Sequence, residues 1–258
     1  MKTLSLVSMV LLVMSHAVFA GVMVESSRIV FSAANPEQSL MLSNNNDYPV
    51  LVQTWIDDGA PDGTPEKATN SPVIPLPGLF RLEPGEKKYL RLLATQMPLP
   101  VDRESLYWLN IYEIPPTDTH LPVAGTFVKV AVRLQLKLFY RPVHLPLPVE
   151  DVPGRLRFTL LRQPGLSLLK VQNPTPYYTS FSSAVISGST GTEKLNVGMV
   201  APFSDKTVPL KGTQGTSSAS IHYSIINDEG NDTGGHSDLR TDGRTRAAIS
   251  GVVMADTG

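Results

Sequence analysis

The chain has 258 residues, a formal net charge of −1 and no cysteine. A balance this close to neutral gives no electrostatic basis for holding nucleic acid, and the lack of cysteine excludes a disulfide framework, so stability must come from packed cores. The 22 prolines and 19 glycines, with little helical periodicity, point to an all-β chain of short strands and turns.

Residues 1–20 read as a secretory signal peptide. Lys2 supplies the positive end, residues 4–14 an apolar run, and Val18-Phe19-Ala20 the small residues that a signal peptidase reads. That run is too short to span a bilayer, and no later run is long and apolar enough for a transmembrane helix. The mature chain is expected to begin near Gly21, outside the cytoplasm and without membrane insertion. About 238 residues then remain, enough for two domains of ordinary size.

Strands are expected at 28–31, 38–43 and 48–56, with a turn at Asn44-Asn45-Asn46-Asp47. Residues 57–71 form a polar loop. Its Asp57, Asp58 and Asp62 are too few and too poorly spaced for a calcium site, so the loop is read as solvated. Trp55 is read as a core aromatic. Further strands are expected at 79–82, 88–93 and 106–114. Residues 126–142, TFVKVAVRLQLKLFYRP, then make a long one. Val128, Val130, Val132, Leu134, Leu136 and Leu138 share one face; Lys129, Arg133, Gln135 and Lys137 lie on the other. Such a strand can lie wholly on its own core, or lend part of its apolar face to another chain. Seven or so strands in about 120 residues read as an immunoglobulin-like β-sandwich.

Residues 145–153 are proline-rich and read as an interdomain linker between a domain at 21–144 and one at 154–230. The second domain has strand signals at 156–162, 167–172, 178–187, 193–199, 206–210 and 220–227, which fit another sandwich. From 231 to 258 the sequence is polar and glycine-rich at first, and a flexible tail is expected.

No catalytic constellation is legible. His16, His120, His144, His222 and His236 show no metal-ligand spacing, and there is no nucleophile elbow, phosphate loop or dinucleotide fingerprint. Asp102-Arg103-Glu104 reads as an ion-pair cluster at a strand end rather than a catalytic carboxylate pair. No enzyme activity, metal or cofactor is expected.

Several runs together resemble one family. These are SSRIVF at 26–31, LFRLEPG at 79–85, LPVDRESLYWLNI at 99–111, LKLFYRP at 136–142, NPTPYY at 173–178 and INDEG at 226–230. In this order the chain resembles the periplasmic pilus-assembly chaperones of the chaperone–usher pathway, the PapD-like family. The resemblance implies two immunoglobulin-like domains in a boomerang with a working cleft between them. It implies that the last strand of the first domain fills the open groove of an incomplete pilus subunit, a form of strand addition. By position, Val128, Val130 and Val132 would enter that groove, while Leu134 and Leu136 serve the chaperone's own core. Arg28 and Lys137 match the basic pair that anchors the subunit's C-terminal carboxylate. Glu104, Arg141 and Asp228 match ion pairs that hold the interdomain angle, and Asn173 to Tyr178 a rigid turn facing the cleft. Pro77-Gly78 stands where the family often has two prolines. The short segment after Ile114 and the lack of cysteine favour the short-loop branch. The partners implied are pilus or fimbrial subunits and an outer-membrane usher; self-association through the same edge is also open to the chain. The alternative, a structural fimbrial subunit or adhesin, needs a donor extension at its start and a missing final strand. Here the mature sequence enters a strand almost at once.

Overall fold

Among the described residues, alternation of apolar and polar residues builds nine strands of the first domain: β1 (Val22–Val24), β2 (Arg28–Ser32), β3 (Glu37–Asn44), β4 (Val50–Asp57), β5 (Val73–Leu76), β6 (Leu79–Leu82), β7 (Lys87–Ala94), β8 (Ser105–Ile114) and β9 (Val132–Arg141). The structure, a computed structural model, describes residues 21–66, 68, 71–116, 131–163, 166–189, 191–211, 218–240 and 248–249. The signal-peptide residues 1–20 and the expected groove residues Val128 and Val130 lie outside the described residues. One sheet runs β1-β3-β7-β5 and the facing one β2-β9-β8-β4-β6. Their inner faces meet in a core that includes Phe31, Leu42, Leu82, Leu90, Leu109, Ile111 and Leu138. Burying such faces is the main favourable contribution to the fold.

Two of these strands escape the sequence reading. β1 has only three residues, and β5 contains Pro75. Proline cannot donate to a ladder, so it demotes a strand signal; β5 accommodates it at the edge of its sheet. The loop after β4 also departs from expectation. Asp57 is not solvated: it ends β4, is buried, and accepts from Trp55 Nε1 at 2.9 Å and from the Gly59 N–H at 2.8 Å.

The segment expected as a linker is packed. A 3₁₀ turn (Val149–Asp151) leads into a one-turn helix, α1 (Val152–Arg155), and Val152 joins the second core with Leu145, Leu147 and Val149 against it. Then follow β10 (Arg157–Gln163), β11 (Leu166–Asn173), β12 (Thr179–Gly188), β13 (Gly191–Lys194), β14 (Met199–Val200), β15 (Ser204–Leu210), β16 (Ser218–Ile226), β17 (Asp232–Arg240) and β18 (Ala248–Ile249). The sheets run β10-β11-β15 and β13-β12-β16-β17-β18, with β14 also on β12. The single strand expected at 193–199 is thus two short ones.

The flexible tail expected from residue 231 is corrected over β17. This strand pairs with β16 along its full length, across the turn after Ile226. Its inward residues are Gly235, Ser237 and Leu239, so hydrophobic alternation does not reveal it. Gly235 is small because the Tyr223 ring lies where a Cβ would be.

The two domains repeat one device. Asn44 ends β3 and Asn173 ends β11, each almost fully buried. Asn44 Nδ2 donates to the carbonyls of Tyr48 and Leu82; Asn173 Nδ2 donates to those of Tyr177, Val200 and Ala201. Each side chain thereby replaces the ladder for the turn that follows.

Candidate functional site

The site is built on β9. It pairs antiparallel with β8 from Val132 to Tyr140. On its other side β2 runs parallel to it, but only from Lys137 to Arg141. Over Val132–Leu136 that second edge has no strand among the described residues. Burial changes along the strand in the same sense. Leu138 and Leu136 are buried in the core, Leu134 is half-buried, and Val132, on the same inner face, is 43% exposed. Val132 is therefore an inward apolar side chain beyond the end of its own core, beside an open ladder edge.

The outer face of the same strand carries Lys137, Phe139 and Arg141 toward the second domain. The parallel register sets Arg28 of β2 directly beside Lys137. Arg28 is buried, donates Nη1 to the Ile226 carbonyl at 2.9 Å, and lies 5.6 Å from the Phe139 ring centroid. Its Nε is buried and has no partner among the described residues. Lys137 Nζ donates to Ser180 Oγ at 3.2 Å and sits 5.8 Å from the Trp108 ring centroid. Burial lowers the pKa of both cations; for Lys137 the Arg28 charge adds to this, while for Arg28 the carboxylates of Asp228 and Glu104 oppose it.

Behind the pair, Arg141 joins the domains. It donates Nε to Glu104 Oε1 at 2.8 Å and grips Asp228 with Nη1 and Nη2 at 2.6 and 2.8 Å, a bidentate pair. The second Glu104 oxygen accepts from the Tyr178 N–H at 2.8 Å, and the Glu104 N–H donates to the Pro176 carbonyl at 2.9 Å. Burial pushes the Glu104 carboxyl above its usual range, against the pull of Arg141. For Arg141 burial works against the charge, but its two carboxylates more than offset it. A cavity of about 370 Å³ lies here, lined among others by Arg28, Glu104, Arg141, Tyr178, Ile226 and Asp228.

Of the residues singled out from the sequence, the structure thus gathers Arg28, Lys137, Glu104, Arg141 and Asp228 in one cleft, with Val132 along the strand from them. Arg103 turns instead to Asp102 at 2.7 Å and to the Phe203 ring at 4.9 Å, a second interdomain contact. Ser180 and Phe203 had no signal in the sequence, because a hydroxyl and a lone aromatic carry no motif; Ile226 opens the INDEG run, but it acts through its backbone carbonyl, which no side-chain pattern marks. His222 and His236, which no spacing connects, face each other across β16 and β17 with rings 6.0 Å apart. Among the described residues no group of three or more His, Asp or Glu is placed to hold a metal.

Two family models cover the chain: the pili and flagellar-assembly chaperone PapD N-terminal domain over residues 21–146, and the pili assembly chaperone PapD C-terminal domain over residues 151–237. The chain belongs to the PapD-like pilus-assembly chaperones. It is 33% identical over 219 residues to the probable fimbrial chaperone YadV of Escherichia coli K12, covering 84% of this chain and 89% of that one. To the chaperone protein FimC of the same organism it is 34% identical over 215 residues, covering 82% and 81%. The solved YadV chaperone structure superposes with a TM-score of 0.72 at 31% identity, over 84% of this chain and 99% of that one. A structure of the Salmonella enterica SafA pilin in complex with the SafB chaperone matches with a TM-score of 0.69 at 28% identity, over 91% and 99%. The two sandwiches described above are therefore the two domains of a PapD-like chaperone.

Proposed function

We propose that this chain captures a pilus or fimbrial subunit by strand addition. The free edge of β9 supplies the ladder, Val132 with Val128 and Val130 fills the subunit's groove, and Arg28 with Lys137 clamps its terminal carboxylate. The observation that carries this reading is the continuity of the two features. Among the described residues, one strand holds an inward apolar residue beside an unpaired edge and, further along, a lysine set beside a buried arginine whose Nε has no partner. Two cations on rigid strands can grip one carboxylate, and a fixed carboxylate sets the register of the added strand. Arg141, with Glu104 and Asp228, holds the angle at which the second domain faces the clamp. The chain works in the periplasm after removal of residues 1–20, delivers its subunit to an outer-membrane usher, and releases it by exchange with the next subunit's strand. It performs no catalysis.

Co-expression in the periplasm with a panel of fimbrial subunits tests this. Wild type is expected to yield a soluble one-to-one complex with a subunit, and Arg28→Ala/Lys137→Ala to yield none while remaining folded. Equal recovery by the double variant would sink the clamp; no recovery by the wild type across the panel would sink the chaperone reading itself.

A further inference from the structure

The loop after β4 turns back over the outer face of its sheet, and its residues Ala60, Pro61 and Gly63 meet the half of β9 whose second edge is free among the described residues. Arg133 receives it. Its Nε donates to Asn110 Oδ1 at 2.8 Å, and Nη1 to the carbonyls of Pro61 and Gly63, each at 3.0 Å. Nη2 donates to Asp57 Oδ2 and to the Ala60 carbonyl, both at 3.3 Å. Every N–H of the guanidinium thus has an acceptor. The group also lies 5.1 Å from the Trp55 ring centroid. Asn110 Oδ1 accepts a second bond from Gln135 Nε2, the next outward residue of β9, at 3.0 Å. The loop fits closely. A Cβ on Gly59, which has φ +88°, would overlap the Trp108 indole, and one on Gly63 would overlap the Asp57 carboxylate and crowd Arg133.

We infer that Arg133 is a positioning residue, which holds the free half of β9 extended and in register before a subunit arrives. This rests on the strand-addition reading above. The docked loop covers the outer face near Val132–Leu134, so that the edge and the inner face are what remain for a partner. A slip of one residue would turn Arg133 toward the subunit's groove and strip the loop carbonyls of their donor, which disfavours every register but one. A strand already ordered loses less freedom on binding than one that must be ordered at that moment.

The probe is the subunit recovered with the wild-type chain by co-purification. Its association and dissociation rates are measured for wild type, Arg133→Ala, Gly63→Ala and Lys137→Ala, with amide hydrogen exchange on each free chain. Gly63→Ala is expected to undock the loop while leaving every residue of β9 in place, and raised exchange over residues 58–63 verifies it. Both Arg133→Ala and the undocked Gly63→Ala are expected to slow association about tenfold and to raise exchange over 132–136. Lys137→Ala should abolish capture. Wild-type association by both loop variants, with Lys137→Ala still inactive, overturns the positioning role and leaves strand addition standing. Unchanged capture by Lys137→Ala places the failure in the strand-addition reading instead. Where Arg133→Ala does not fold, Gly63→Ala decides alone.

Discussion

Arg141→Ala removes three short bonds from the link between the domains, and its cost follows from what it strands. The Glu104 side chain is 2% exposed, and without Arg141 its carboxylate keeps the Tyr178 N–H alone. Leaving one buried charge of a pair uncompensated costs about 3–5 kcal/mol. The loss has a ceiling, because the second domain can swing away and let water reach Glu104. The expected result is therefore loss of coupling rather than loss of either sandwich. Asp228→Ala provides the comparison. Asp228 is 31% exposed, and its removal leaves Arg141 paired with Glu104, so about 1–2 kcal/mol is expected after discounting for solvent. pH separates the two further. A carboxyl whose folded pKa is raised is stabilised by protonation, so stability is lost as pH rises from the ordinary 4.5 through the raised value. Without its cation Glu104 is raised further, so the gap between Arg141→Ala and wild type should narrow on going from pH 8 to pH 5. Both tryptophans, Trp55 and Trp108, lie in the first domain, so their fluorescence in urea follows that domain, circular dichroism follows both, and small-angle scattering follows the angle between them. Coincident transitions with unchanged scattering, an Asp228→Ala cost equal to that of Arg141→Ala, or a gap that widens in acid would each refute the reasoning.

Val132→Asp should abolish subunit capture while changing stability by less than about 1 kcal/mol, since the side chain is half-exposed; Leu138→Ala, on the same face but fully buried, should cost about 2–5 kcal/mol in urea unfolding. Capture should weaken as pH rises toward the ordinary lysine value of 10.5, because burial and Arg28 hold the Lys137 pKa below it and the clamp needs the proton; stability of the free chain moves the other way over that range, and Lys137→Arg should flatten the fall in capture measured by equilibrium binding. Asn173→Ala orphans backbone carbonyls after β11 and should lower stability by about 2–4 kcal/mol, with circular dichroism as the readout, whereas Ser182→Ala, at an exposed hydrogen bond, should change it by less than about 0.5 kcal/mol.

Most strands and the cleft cations were legible in the sequence, for one physical reason. Strand alternation exposes which residues share a face, and motif order identifies the family that places Arg28, Lys137, Glu104, Arg141 and Asp228. What escaped lacks an apolar signature. β17 turns glycine and serine inward, β5 carries a proline, and Asp57 looks like one more acidic loop residue until Trp55, Gly59 and Arg133 close on it. Arg133 escaped for the opposite reason: an arginine on the polar face of an amphipathic strand is what the pattern already predicts, and no pattern in one strand names the loop that will come to it.

The same limit bears on β9 itself. Its apolar residues recur with one period from Val128 to Leu138, so alternation alone treats the strand as uniform. Pairing divides it. From Lys137 onward it is held between β8 and β2 with its inner side chains in the core. Before Lys137 it keeps β8 alone among the described residues, and its inner side chains become progressively exposed toward Val132. An edge so placed invites any extended chain, including a second copy of this one. In the proposed reading, the cations at the point where β2 begins supply selectivity that the edge lacks. Arg28 is buried, Lys137 half-buried, and the two are neighbours of like charge, so an anion that reaches them relieves an existing repulsion as well as making new bonds. On that account a subunit lacking its terminal carboxylate should lose far more affinity than one lacking a single groove contact, and amidation of the subunit's C-terminus, leaving every apolar contact intact, is the change that would separate the two contributions.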